Sequence, residues 1–435
     1  MRRKQSSTVS NAGIPETNES PDATCTRSTL FPRRSFLRNS ALTIAGTAAL
    51  PSWLGRAAMG SEGGGNGKKI LVAIFLRGAA DGLNIVVPFA EPHYYDLRPT
   101  IAVPRPGETG GAIDLNGSFG LHPSLASLKA LYDEKHLAII EATGSPDPTR
   151  SHFDAQDYME SGTPGRKGTP DGWLNRALDP TSAGGSPVRA IALGKQLPRT
   201  LRGSNPAIAL SDIGSFRVRN RVAAGIFEAM YEESPDEELR AVGAETFEAI
   251  KLLQSVENQN STGGDRSEYP KGALGPSLQQ IAALIKADVG VEAAFTDMGG
   301  WDHHTNESQQ LANMLRQLGD ALTAFYHDLG GRMENVVLVT MSEFGRTARE
   351  NGSLGTDHGH GSLMFVMGGS VNGGKIYGSW PGLETEQLYE ERDLAVTTDF
   401  RDVLSELAAK GLGAGSGGAA AAFPDYEPQS VLGLL

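Results

Sequence analysis

The run "ILVAIFL" at 70–76 constrains the fold more than any other stretch of this chain. It is continuously apolar and rich in β-branched residues, with no polar position to face water. A half-buried strand would alternate polar and apolar residues. An unbroken short run instead fits a strand covered on both faces. Similar runs follow: "LAIIEA" at 137–142, "AIAL" at 190–193, "VEAAFT" at 291–296, "NVVLVTM" at 335–341 and "SLMFVMG" at 362–368. Helical patterns lie between them. Leu125, Leu128, Leu131 and Tyr132 share a face over 122–135, and Leu311, Leu315, Leu318, Leu322 and Phe325 recur at helical spacing over 306–329. This alternation predicts an α/β fold with a largely parallel central sheet flanked by helices.

Charged helical segments over about 213–290 read as a helical insertion in an α/β body that spans 70–435. A last helix is expected at 399–412, with the low-complexity "GAGSGGAAAA" after it as loop or linker.

The first 58 residues are expected to stand apart from this body. Residues 1–31 are polar and read as disordered. "RRSFLRNS" at 33–40, the apolar "ALTIAGTAALPSWL" at 41–54 and the small residues of "GRAAMG" then follow the order of an export signal. Arg33 and Arg34, with Phe36 and Leu37 behind them, resemble the twin-arginine signal. That resemblance implies recognition by the twin-arginine translocase, export to the periplasm or otherwise out of the cytoplasm, and passage in the folded state, often with a metal aboard. Residues 59–69 read as a linker, with "SEGGGNGKK" at 61–69 as its flexible part. No run of about 20 apolar residues is present, so no stable membrane insertion is expected after cleavage.

Cleavage near Ala58 would remove eight Lys/Arg and three Asp/Glu, carrying the formal charge from −12 to −17. So acidic a body argues against nucleic acid as a partner. The only cysteine, Cys25, would leave with the signal, so any metal must be held by nitrogen and oxygen. No glycine-rich phosphate loop or dinucleotide fingerprint opens a helix after a strand, which argues against nucleotide cofactors.

The polar residues that suggest chemistry fall just past the expected strand ends, where open α/β sheets bind ligands. These are Arg77, Asp81 and Asn84 in "RGAADGLN"; Arg150, Ser151 and His152 in "DPTRSHFDAQD"; Asp302, His303 and His304 in "GGWDHHTNE"; Ser342, Glu343 and Arg346 in "SEFGRT"; and Asp357, His358 and His360 in "GTDHGHGS". Any one of these alone is more simply a cap or a surface group. Their joint placement points to a metal centre. Imidazole and carboxylate donors without sulfur suit Zn, Mn, Fe or Ni, and a mostly carboxylate site suits Mg or Ca.

"LRGAADGLNIVVPF", "RSHFDAQDYMESG", "GGWDHHTNE" and "TMSEFGRTARENGSLGTDHGHGS" together resemble the DUF1501 family of exported bacterial proteins, from about residue 70 to the C-terminus. That family in turn resembles the alkaline phosphatase and sulfatase superfamily, whose α/β enzymes cleave phosphate or sulfate esters with divalent metals.

Carried over residue by residue, the resemblance implies Asp302, His304 and His358 at one metal. It implies Asp81 and Glu343 at a second, with Ser151 as nucleophile. Phe344 and Gly345 follow Glu343 where a histidine is expected, so the second site is incomplete unless His152 or His360 substitutes. "SPDPTR" at 145–150 only loosely echoes the sulfatase motif. Arg77, Arg150 and Arg346 could grip an anionic ester, with Asn84 and His360 beside them as further substrate-binding candidates. Ser151 reads equally as a helix cap. His152 reads as ligand, general acid or structural residue. Asp357 reads as a partner that orients a ligand histidine, and His303 as an outward-pointing neighbour of His304. The implied function is an exported metal-dependent ester hydrolase; the alternative is a non-catalytic exported metal-binding protein of the same fold.

Overall fold

The computed structural model describes residues 69–178, 186–215, 221–262, 268–413 and 415–435. The segment that resembles a twin-arginine signal, Cys25 and the expected linker up to residue 68 lie outside the described residues. Within them the strands are β1 (Ile70–Arg77), β2 (Val86–Val87), β3 (Ile113–Asp114), β4 (Gly120–Leu121), β5 (Leu137–Gly144), β6 (Ala190–Leu193), β7 (Ile208–Leu210), β8 (Ala293–Gly299), β9 (Val336–Met341), β10 (Ser362–Met367), β11 (Lys375–Tyr377) and β12 (Thr398–Asp399). The main sheet runs β11-β5-β10-β9-β1-β8-β6-β7, with β12 beside β5; β2, β4 and β3 form a small antiparallel sheet. The principal helices are α1 (His152–Ser161), α2 (Arg221–Glu232), α3 (Glu237–Thr262), α4 (Leu274–Lys286), α5 (Glu307–Leu329), α6 (Phe400–Gly411) and α7 (Gly415–Ala422).

The unbroken apolar run of β1 has a direct structural cause. Val72, Ile74 and Leu76 point into one core, shared with Leu311, Leu315, Leu318, Leu322 and Phe325 of α5 and with the apolar face of α4. Leu71, Ala73 and Phe75 point into a second core on the other face, shared with Phe400, Val403, Leu404 and Leu407 of α6. Both faces are dry, so neither tolerates a polar residue. β1 lies between β8 and β9, parallel to both.

β10 is antiparallel to both β9 and β5. The segment that enters β10 therefore lies at the same sheet edge as the segments that leave β1, β5, β8 and β9. The topology thus brings "GTDHGHGS" to the carboxyl edge although it precedes its strand.

Three local expectations change. The 122–135 segment is a 3-10 turn, Pro123–Leu128, kinked at Leu125, and then a short α-helix, Lys129–Asp133. The low-complexity tail is not a loop: α7 packs against α6 and the helix Trp173–Ala177, and its run of four alanines favours helix despite its glycines. In the 213–290 region, α4 is integral to the body, with Leu278, Ile281, Ala282 and Leu284 fully buried in the first core.

Candidate metal centre

Four side chains converge at the carboxyl edge. His152 is the first residue of α1, whose cap Ser151 follows β5. Asp302 and His304 lie in the loop after β8, and His358 precedes β10. The Nε2 atoms of His152 and His358 are 3.0 Å apart, as are those of His304 and His358. Asp302 Oδ1 stands 3.0 Å from His304 Nε2, 3.3 Å from His358 Nε2 and 3.5 Å from His152 Nε2. Ligand atoms of His152, Asp302 and His358 all lie within 4.8 Å of one another.

The other ring nitrogen of each histidine is committed. His152 Nδ1 meets Glu343 Oε1 at 2.8 Å, His304 Nδ1 meets Asp357 Oδ1 at 2.9 Å, and His358 Nδ1 meets the Arg150 carbonyl at 2.9 Å. A carbonyl or carboxylate can only accept, so each Nδ1 is the donor and each neutral ring turns its Nε2 lone pair inward. Three lone pairs and a carboxylate oxygen at these separations repel one another unless a proton or a cation lies among them. This donor set, with its Nδ1 partners behind it, fits a divalent metal.

The neighbouring groups shift one another's protonation. Burial alone would raise the Glu343 carboxyl, but hydrogen bonds from His152, Gln156 and the Gly78 amide hold it below the usual range. The bond to Glu343 in turn pushes His152 up. Burial, with the neighbouring His152, pulls His358 down. Burial would likewise raise Asp302, but Arg346 outweighs it and keeps the carboxylate ionised. Asp357 is held down by its bond from His304.

Arg346 is almost completely buried. It ties the loops together by donating to the carbonyls of Ala79, Gly78, Trp301 and Thr356 and to the Asp302 carboxylate. Gly78 permits this closeness: it has φ +119°, and a Cβ there would fall 2.6 Å from the Asp302 amide nitrogen.

The structure redistributes several residues that the sequence groups as ligands or substrate contacts. Asp81 is a buried ion-pair partner, with both oxygens bonded to Arg98 at 2.5 and 2.9 Å. Glu343 stands behind His152 rather than facing the other donors. It accepts from Gly78, Gln156 and His152 at 2.8 Å each and from Ser342 at 3.1 Å. So the two expected sites reduce to one cluster, in which His152 supplies an imidazole and His360 does not. His360 is buried and stacks on Tyr389 at 4.3 Å between ring centroids.

Ser151 is exposed and caps α1, accepting from the Asp154 amide at 3.5 Å. The Arg150 guanidinium is held by Asp393 and Glu390. Asn84 is buried between the Ile101 carbonyl and the Tyr94 hydroxyl. Arg346 is bound to main-chain carbonyls and Asp302, so its guanidinium is a brace for the loops. Arg77 is paired with Asp297 and Glu160. His303 is buried rather than outward-pointing, because its ring packs inside the loop near Trp301. Sequence reasoning passed over Gln156, although it lies four residues after His152 and hence on the same face of α1. Arg98 carried no local signal; its pairing with Asp81 appears only in three dimensions.

The fold and site define an α/β protein with a histidine-rich acidic cluster at the carboxyl edge of its sheet. A family model described as "Protein of unknown function (DUF1501)" matches residues 68–419, and the chain belongs to that family. No curated protein matches it. Among solved structures it is similar to a protein in the alkaline phosphatase superfamily from Vibrio parahaemolyticus, at 10% identity and a TM-score of 0.35, covering 87% of this chain and 74% of that one. It is also similar to the PsFucS1 sulfatase from Pseudoalteromonas sp., at 13% identity and a TM-score of 0.33, covering 88% of this chain and 72% of that one.

Proposed function

We propose that this protein is an exported metal-dependent hydrolase of small anionic esters of phosphate or sulfate, with one divalent cation held by His152, Asp302, His304 and His358. The observation that supports this reading is the inward convergence of three Nε2 lone pairs and Asp302 Oδ1 at a solvent-facing edge. A purely structural metal site closes over its ion, whereas a catalytic one keeps a face open. Here the side chains of His152, His304, His358 and Asp302 retain 24%, 40%, 25% and 47% exposure. The imidazole majority favours Zn or Mn over Mg or Ca.

A bound cation would supply Lewis-acid polarisation of an ester oxygen. The chain's own groups hold the ligands in place. Glu343, Asp357 and the Arg150 carbonyl fix the three ring orientations, and Arg346 fixes the Asp302 carboxylate. Arg33 and Arg34 support export through the twin-arginine translocase, folded and loaded, into the periplasm.

A second reading has its own observation. Asp81 is paired with Arg98, Glu343 is committed to His152, and Ser151 caps α1, so the parts of a two-metal centre with a serine nucleophile are not assembled among the described residues. On that reading the protein binds one metal without catalysis.

Metal analysis of the purified mature protein, with an aryl phosphate and aryl sulfate panel, decides between them. One ion per chain with turnover supports the hydrolase, and one ion without turnover supports the binding protein. His304→Ala should lower bound metal and metal-dependent thermal stability together. Unchanged metal content in that variant would remove the basis of both readings.

A further inference from the structure

A cavity of about 450 Å³ opens at the same sheet edge, between α1 and the loop that leaves β6. The wall shared with the metal cluster is short. Gln156 bonds Glu343 on one side and accepts from Arg77 on the other, and Gln156 and Arg77 both line the cavity.

The carboxylates of this wall are already matched. Arg77 holds Asp297 at 2.5 Å and Glu160 at 2.9 Å. Glu160 also accepts from the Thr200 amide and hydroxyl. Arg199 holds Asp157 at 2.7 Å. Two further lining cations, Lys195 and Arg202, make no ion pair among the described residues. Arg202 lies in the field of Asp157 but donates its Nε to the Leu197 carbonyl at 3.1 Å. A chain of formal charge −12 therefore presents, next to its candidate centre, a concave surface whose unpaired charges are both positive. Phe153, adjacent to His152 in sequence, also lines this cavity and is 90% exposed. That leaves an aromatic face free to cover an organic scaffold.

We propose that this cavity is a subsite for a second anionic group, so that the substrates are esters carrying a further phosphate or sulfate on a ring-sized scaffold. Lys195 and Arg202 receive the second anion, and Phe153 packs against the part of the molecule that joins it to the scissile group. The inference rests on the hydrolase reading for the word substrate, but the anion subsite itself can be tested without turnover.

The test is equilibrium binding of naphthalenedisulfonate and naphthalenemonosulfonate to the mature protein, followed by their fluorescence anisotropy. Neither probe can be hydrolysed at phosphate or sulfate. The wild type should prefer the disulfonate by about tenfold, as expected of one added charge-assisted contact. The Lys195→Ala/Arg202→Ala double variant should lose most of that preference with its melting temperature nearly unchanged, since both side chains are exposed. Phe153→Ala should weaken both probes together. Equal binding of the two probes by the wild type, or a preference that survives the double substitution, overturns the proposal. His304→Ala removes the metal-held contact, so the preference for the disulfonate should shrink, while monosulfonate binding should still depend on Lys195 and Arg202. A wild type without any turnover that shows the preference would fail as a hydrolase and stand as an anion binder.

Discussion

Glu343→Gln isolates the step that makes the cluster a metal site. The side chain is 1% exposed, and its Oε1 accepts three bonds at 2.8 Å, from the Gly78 amide, the Gln156 amide and His152 Nδ1. The substitution keeps the shape and leaves an acceptor for His152 but removes the charge that holds that ring with Nε2 inward. Loss of such an orienting partner costs about 10- to 100-fold in metal affinity. At a free metal concentration about 100 times the wild-type Kd, the bound ion adds about 2.7 kcal/mol of stability, and a hundredfold weaker site retains only a few tenths. The metal-linked part of the stability should therefore fall by about 2 kcal/mol, or roughly 2–3 °C for a body of this size.

Unfolding with excess metal and again with chelator, in wild type and variant, separates this linked part from the loss of charged hydrogen bonds, which appears in both conditions. Chelator competition gives the affinity directly. The reasoning fails if metal affinity is unchanged. It also fails if Glu343→Gln lowers the stoichiometry by a whole ion, because Glu343 would then be a ligand rather than the group behind His152.

Other outcomes follow from the same geometry. Ser151→Ala should cost about 1 kcal/mol in unfolding experiments, as a lost helix cap, and leave ester turnover within a few-fold; a loss of about a thousandfold would restore the nucleophile role. Burial alone would raise the Asp81 carboxyl, but the Arg98 guanidinium outweighs it and holds the pKa below the ordinary value of 3.8. The stabilisation is therefore complete above that value and is lost as pH falls through the depressed one. Asp81→Asn should cost about 3–5 kcal/mol at neutral pH, because it strands a buried guanidinium, and the gap to wild type should narrow below roughly pH 4. A gap of constant size across that range would refute the pairing. Replacing Arg33 and Arg34 together by lysine should leave the precursor in the cytoplasm; normal export of that variant, measured by fractionation, would rule out the twin-arginine route.

The amino-acid sequence by itself determined the layered core, because burial on both faces of β1 requires an unbroken apolar run and burial on one face of α5 requires leucines at helical spacing. It also placed the polar candidates, since residues that follow buried strands collect at one sheet edge. Asp302 and His304 were legible for this reason; His358, which precedes its strand, was legible only through the family resemblance, and His152 as a candidate without a role.

Only the tertiary structure decided which candidates face one another. Asp81 and Asp302 both follow central strands with the same chemistry. Asp81 meets Arg98, 17 residues on, and becomes an ion pair, while Asp302 meets three imidazoles. His358 and His360 are two residues apart, yet one joins the cluster and the other stacks on Tyr389. The direction of β10 was equally hidden, because a strand buried on both faces reads the same in either sense. Had β10 run parallel to its neighbours, His358 would enter the sheet at the opposite edge, and no centre would form.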